Sequence, residues 1–124
     1  MGDLFSFMAA APPPRRTAQQ LAEDGARRAV DHADHEEEGW SERAFQLLRN
    51  YAVSHYTFMT EDVREWAHRI GLPKPPDPRA WGAVTLRAAK AGLIVVECYR
   101  KTRIPPAHAT PRPVWRSLVY REAA

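Results

Sequence analysis

An α+β fold is the prediction, and three features of the sequence make it. Apolar residues recur at helical spacing in four separate stretches between Thr17 and Ala91. A β-branched and aromatic run, Leu93-Ile94-Val95-Val96-Glu97-Cys98-Tyr99-Arg100, follows them. A second such run, Val114-Trp115-Arg116-Ser117-Leu118-Val119-Tyr120, comes after a proline-rich stretch. The length of 124 residues suits one compact domain with a tail or an extra helix.

Residues 1–14 read as a disordered tail. Pro12-Pro13-Pro14 favours extended polyproline geometry and blocks a helix start. The first residues are apolar in part, but Asp3 makes the n-region acidic, so they do not read as a signal peptide. Residues 15–38 hold an N-terminal helix, from about Thr17 to about His35. Its apolar positions are Ala18, Leu21, Ala22, Gly25, Ala26, Ala29, Val30 and Ala33. Such small side chains bury little area, so this helix needs a partner surface, either the rest of the chain or a second copy in a homodimer. Glu36-Glu37-Glu38-Gly39 ends it, because carboxylates oppose the dipole at a helix C-terminus.

The compact segment spans 40–121. Ser41 is the expected N-cap of its first helix, with Trp40 stapled onto Phe45. Ala44, Leu47, Leu48, Tyr51 and Ala52 form that helix's buried stripe. Tyr56–Met59 reads as a short extended piece. Thr60 should cap a second helix with the stripe Val63, Trp66, Ala67 and Ile70, ended by Gly71. Asp77 caps a third helix, about 77–91, with Pro78 at its first position. Residues 102–113, with four prolines, are expected to stay outside the sheet. Trp40, Trp66, Trp81 and Trp115 are expected mainly in the core, and Cys98 as a buried small hydrophobe.

The order helix, short strand, helix, helix, strand, loop, strand is that of a winged helix-turn-helix domain. The run Phe58-Met59-Thr60-Glu61-Asp62-Val63 resembles the strand leading into the second helix of such domains. Ala88-Ala89-Lys90-Ala91-Gly92-Leu93-Ile94 is similar to the close of a recognition helix and the opening of a wing. Residues 40–120 also resemble small winged-helix proteins encoded by tailed bacteriophages. The stretches that carry this are Trp40-Ser41-Glu42-Arg43-Ala44, Pro76-Asp77-Pro78-Arg79-Ala80-Trp81-Gly82 and Val114-Trp115-Arg116-Ser117. One departure is Ala88, where the family usually has Leu; the smaller side chain leaves room for a neighbour such as Trp81. The resemblance implies a three-helix core with a small antiparallel β-wing, preceded here by the extra N-terminal helix. It implies double-stranded DNA as partner, in transcription regulation or DNA replication, within the cytoplasm of a bacterial host.

Charge agrees with a polyanionic partner. Residues 1–40 hold four Arg against eight Asp and Glu, a net of −4, and residues 41–124 hold fourteen Lys and Arg against seven, a net of +7. On the third helix, Trp81, Val84, Ala88 and Ala91 share one face, which is core. Arg79, Ala83, Arg87 and Lys90 share the opposite face, three cations around a small residue. That face is expected to enter a major groove, with Gly82 easing close approach. Arg100, Lys101, Arg103, His108 and Arg112 cluster in and beside the proline-rich loop, where Arg103 and Arg112 are candidates for backbone or minor-groove contacts.

Other chemistry finds little support. Asp31, His32, Asp34 and His35 read as a solvated acidic helix end rather than a metal site, so neither a metal nor a cofactor is expected. No carboxylate pair, phosphate loop or nucleophile motif stands out, so no enzymatic activity is expected. A lone Cys98 forms no intrachain disulfide, which fits a reducing compartment, and no run approaches a membrane span. Asp3-Leu4-Phe5 resembles the end of peptides that dock into the bacterial sliding clamp, without their usual upstream Gln. The alternative to DNA is a winged-helix module that binds a host or phage protein, since the small-residue helix offers a packing surface.

Overall fold

A computed structural model of the chain describes residues 17–101 and 111–122. The disordered-tail expectation for 1–14, and the candidates Asp3, Leu4, Phe5, Arg103 and His108, lie outside the described residues.

Helix α1 (Ala18–Glu36) starts where its cap predicts. Thr17 Oγ1 accepts the Gln20 N–H at 3.1 Å, and the Thr17 N–H donates back to Gln20 Oε1 at 2.8 Å, closing a capping box. Its buried positions are Gly25, Ala29 and Ala33. The expected stripe is therefore only partly buried: Ala18, Leu21 and Ala22 stay exposed.

Helix α2 (Trp40–Ser54) begins two residues earlier than expected, with its cap at Gly39 rather than Ser41. Gly39, at a left-handed φ of 75°, holds the cap position, a conformation glycine adopts without a Cβ penalty. Ser41 is inside the helix, and both its N–H and its hydroxyl donate to the Asp34 carboxylate, at 2.8 and 2.6 Å, tying α2 to α1. Trp40 is the first residue of the helix rather than the residue before its cap. Its indole N–H donates to the Pro73 carbonyl at 2.8 Å, and its ring meets Trp81 edge-on with centroids 5.4 Å apart. Ala44, Phe45, Leu48 and Ala52 are buried, with Leu47 and Tyr51 half-buried.

After the short strand β1 (Thr57–Phe58) comes helix α3 (Thr60–Arg69). Thr60 does not cap it. Met59 holds that position, and the Asp62 carboxylate accepts the Met59 N–H at 2.9 Å. The Thr60 hydroxyl instead lies 3.3 Å from that of Thr85. Val63 and Ala67 are fully buried, but Ile70 lies past the last helical turn and is exposed, while Leu72 turns inward after Gly71.

Helix α4 (Ala80–Lys90) starts three residues later than the expected 77–91. Asp77 does initiate it: its carboxylate accepts the Arg79 N–H at 2.9 Å and its carbonyl the Ala80 N–H at 3.0 Å. Pro78 and Arg79 belong to this lead-in turn. The buried face holds Ala80, Trp81, Val84, Thr85 and Ala88, whereas Ala91 follows the last turn and is exposed.

Strands β2 (Ile94–Arg100) and β3 (Arg112–Ser117) pair antiparallel, and the sheet order is β1-β3-β2. Contrary to expectation, Arg112 and Pro113 join the sheet, opposite Arg100 and Tyr99. β1 pairs only with Trp115 and Arg116, so among the described residues no strand on the far side of Pro113 asks for an N–H. The ladder is irregular between Val96 and Cys98. Cys98 is exposed rather than buried, because β2 is an outer strand that buries only Ile94.

The core unites these elements. Trp40, Trp81, Leu48 and Val63 are its largest fully buried side chains, and Ala29, Ala33, Phe58, Ile94 and Trp115 pack into the same cluster. The fold is α+β, with four helices and a small three-stranded antiparallel sheet among the described residues, compatible with a winged-helix-like arrangement. No helix among the described residues is long and apolar enough to cross a membrane.

Candidate nucleic-acid interface

The outward side of α4 is not bare. Helix α1 packs along it through small residues. A Cβ placed on Gly82 would sit 3.9 Å from the Ala26 Cβ, an ordinary contact, and one on Gly25 would sit 3.1 Å from Arg79 Nη1. The close approach that Gly82 permits is therefore made to α1, which lies beside the face expected to enter a major groove. Between the two helices lies a groove of about 470 Å³, lined by Ala22, Ala26 and Val30 on one side and Ala83 and Leu86 on the other. Arg27, Arg87 and Lys90 also line it.

Two of the three α4 cations are already engaged. Arg79 donates to Asp77 Oδ2 from Nε at 3.0 Å and from Nη2 at 2.7 Å. This side-chain bond, with the Arg79 N–H as second donor, holds the Asp77 carboxyl below its ordinary value, and Asp77 in turn raises Arg79. Arg87 Nη1 lies 2.9 Å from Glu42 Oε2, and its guanidinium sits 3.9 Å above the Phe45 ring. The Gln46 side-chain bond first, and Arg87 after it, lower the Glu42 carboxyl. Lys90 is exposed and forms no ion pair with a described residue.

The sheet presents a different arrangement. Arg100 and Arg112 are directly opposite one another where the β2–β3 ladder opens, and Lys101 follows Arg100. All three are exposed, and none forms an ion pair with a described residue. The nearest acidic residue along β2, Glu97, is taken by Arg116, at 3.2 Å from its Nε. The structure thus brings Arg100, Lys101 and Arg112 together at one end of the sheet. Arg79 lies in the turn before α4, and Ala83, Arg87 and Lys90 lie along the helix, with Ala83 half-buried in the seam with α1.

Sequence reasoning missed Glu42 and Phe45 as partners of Arg87. They are more than forty positions away on another helix, and no local spacing announces them. Asp77 has the sequence signature of a cap, and its two-residue spacing from Arg79 also allows the ion pair. The acidic helix end is largely committed to structure: Asp34 accepts from Ser41, and His32 lies 3.4 Å from Glu36. Among the described residues no three His, Cys, Asp or Glu side chains gather as a metal site would require.

Comparison with protein-family models, with curated proteins and with solved structures finds no match to this chain.

Proposed function

We propose that this chain is a winged-helix protein that binds double-stranded DNA, with the end of the β2–β3 hairpin lying against the phosphate backbone. The observation that carries this reading is the pair Arg100 and Arg112. Like charges directly opposite on neighbouring strands destabilise a sheet. With Lys101 beside them and no carboxylate among the described residues to offset them, these cations are arranged for an external polyanion. The element order, the sheet order β1-β3-β2 and the basic balance of residues 41–124 support the winged-helix part of the reading. The resemblance to phage-encoded winged-helix proteins points to transcription regulation or DNA replication as the setting. Fluorescence anisotropy with a random-sequence duplex at several salt concentrations tests it. Binding should weaken steeply as salt rises; affinity that is absent at low salt, or indifferent to salt, counts against DNA as the partner.

A second reading, docking of a host or phage protein, has one observation in its favour. The α1–α4 groove offers small apolar side chains flanked by Arg27 and Lys90. Co-purification of a stable protein partner from infected cells, lost on an Ala83→Glu substitution while DNA binding stays at background, would favour it over DNA.

A further inference from the structure

We infer that DNA binding by this chain is backbone-directed and independent of base sequence, because its own helix α1 occupies the side of α4 that base readout would need. The inference rests on the DNA-binding reading above and concerns the mode of recognition.

Base readout in the major groove needs an element that enters it and side chains free to reach base edges. The first half of α4 lacks the clearance. A side chain on Gly82 would meet the Ala26 Cβ at 3.9 Å, Ala83 is half-buried beside α1, and Gly25 is approached by Arg79. The covering helix is built into the fold. Ala29 and Ala33 belong to the same core cluster as Trp40 and Trp81, and Asp34 accepts two hydrogen bonds from Ser41. Lifting α1 would uncover those rings and strand those donors, so the cover is permanent and not a gate.

The side chains agree. Arg79 donates from both Nε and Nη2 to one oxygen, Asp77 Oδ2, and Arg87 sits between Glu42 and Phe45. A guanidinium that reads guanine must present its fork to the base, and both forks are turned to partners within the chain. Of the cations on or beside α4 and at the hairpin end, those without a described partner are Lys90, Arg100, Lys101 and Arg112, the last three at the end of the hairpin. A hairpin end carrying cations can track phosphates, which fix position and carry no sequence information.

Two measurements test this. In the first, a randomised duplex pool is selected over several rounds, and the winners are compared with the starting pool. The expected result is a gain of less than about a hundredfold, against the 10³-fold or more that separates specific from non-specific sites. The expected salt slope lies between about three and four, from about 0.9 for each of four phosphate contacts. A consensus gaining a hundredfold or more overturns the inference. In the second, Ala26→Cys and Gly82→Cys are combined with Cys98→Ser. The 3.9 Å separation at the seam matches the Cβ spacing of a disulfide. Oxidised protein, with α1 locked on α4, should bind duplex as tightly as the same protein reduced. A loss of tenfold or more on oxidation, recovered with reductant, would show that α4 must be uncovered, and failure of the pair to oxidise would refute the seam itself. If wild-type protein binds no duplex even at low salt, the DNA reading fails, and the inference with it.

Discussion

The indole N–H of Trp81 donates to Nε2 of His68 at 3.1 Å, joining α4 to α3. Because Nε2 accepts, the His68 proton sits on Nδ1, which donates to the Leu72 carbonyl at 2.9 Å. One imidazole therefore holds α4 through Trp81 and the turn after α3 through Leu72. Trp81 is 1% exposed, so its N–H has no water to fall back on. His68→Ala should cost roughly 1–3 kcal/mol, the penalty for a buried unsatisfied donor. Trp81→Phe removes the donor as well, so the double variant should cost less than the sum of the singles. Urea denaturation of the four proteins measures this. Strict additivity would mean that the bond contributes nothing.

The covering helix yields a second prediction. Ala29 and Ala33 are buried among Trp40 and its neighbours, so α1 belongs to the core in spite of its small side chains. Removing residues 1–38 should lower the melting temperature markedly and shift tryptophan emission to the red. Leu48→Ala, at a position fully buried in the same cluster, should cost about 2–5 kcal/mol and gives the scale for comparison. A truncated protein that melts like the full chain, with unchanged emission, would show that α1 only rests on the surface.

Much of this architecture can be read from spacing alone. The 3.6-residue period puts Trp81, Val84 and Ala88 on one face of α4, and all three are buried. The branched and aromatic runs become β2 and β3. What escapes such reading depends on partners distant in sequence. Ser41 has the chemistry of a cap, but Asp34 competes for it, and Gly39 supplies the left-handed turn instead. Cys98 has strand neighbours, yet periodicity does not say which strand is outermost. The α4 cations illustrate the same limit for the site. Helical geometry places Arg79 and Arg87 on the outer side, but cannot show that Asp77, Glu42 and Phe45 will hold them or that α1 will lie across Ala83.

The Asp77 and Arg79 pair should make part of the fold's stability depend on pH. The Asp77 carboxyl is depressed chiefly by its side-chain bond to Arg79, so its folded value lies below its unfolded one. The contribution is therefore present above the unfolded value, about pH 4, and is lost as the pH falls through the folded value. Asp77→Asn keeps an acceptor for the Arg79 N–H and removes the charge. Its melting temperature should lie slightly below wild type at pH 6, with the gap closing below about pH 4. A gap that persists at pH 3 would assign the effect to packing.

The opposed arginines separate function from stability. Arg100 and Arg112 face each other across β2 and β3 without a described carboxylate partner, which costs the fold a few tenths to about 1 kcal/mol. Relieving that repulsion should stabilise the protein. Arg112→Ala should therefore hold or raise the melting temperature while weakening binding to random duplex and reducing the salt slope by about 0.9. Arg100→Glu goes further, since it creates an opposite-charge pair with Arg112. It should be the more stable of the two proteins and the weaker binder, because it removes one phosphate contact and ties up the other. Arg79→Ala and Arg87→Ala serve as the contrast: both cations are satisfied within the chain, so their loss should leave the salt slope nearly unchanged. Anisotropy titrations from 50 to 200 mM salt on all four variants decide the matter. If the α4 variants lose the slope and the hairpin variants keep it, the interface lies on α4, and the cations of the hairpin are a solvated end of the sheet.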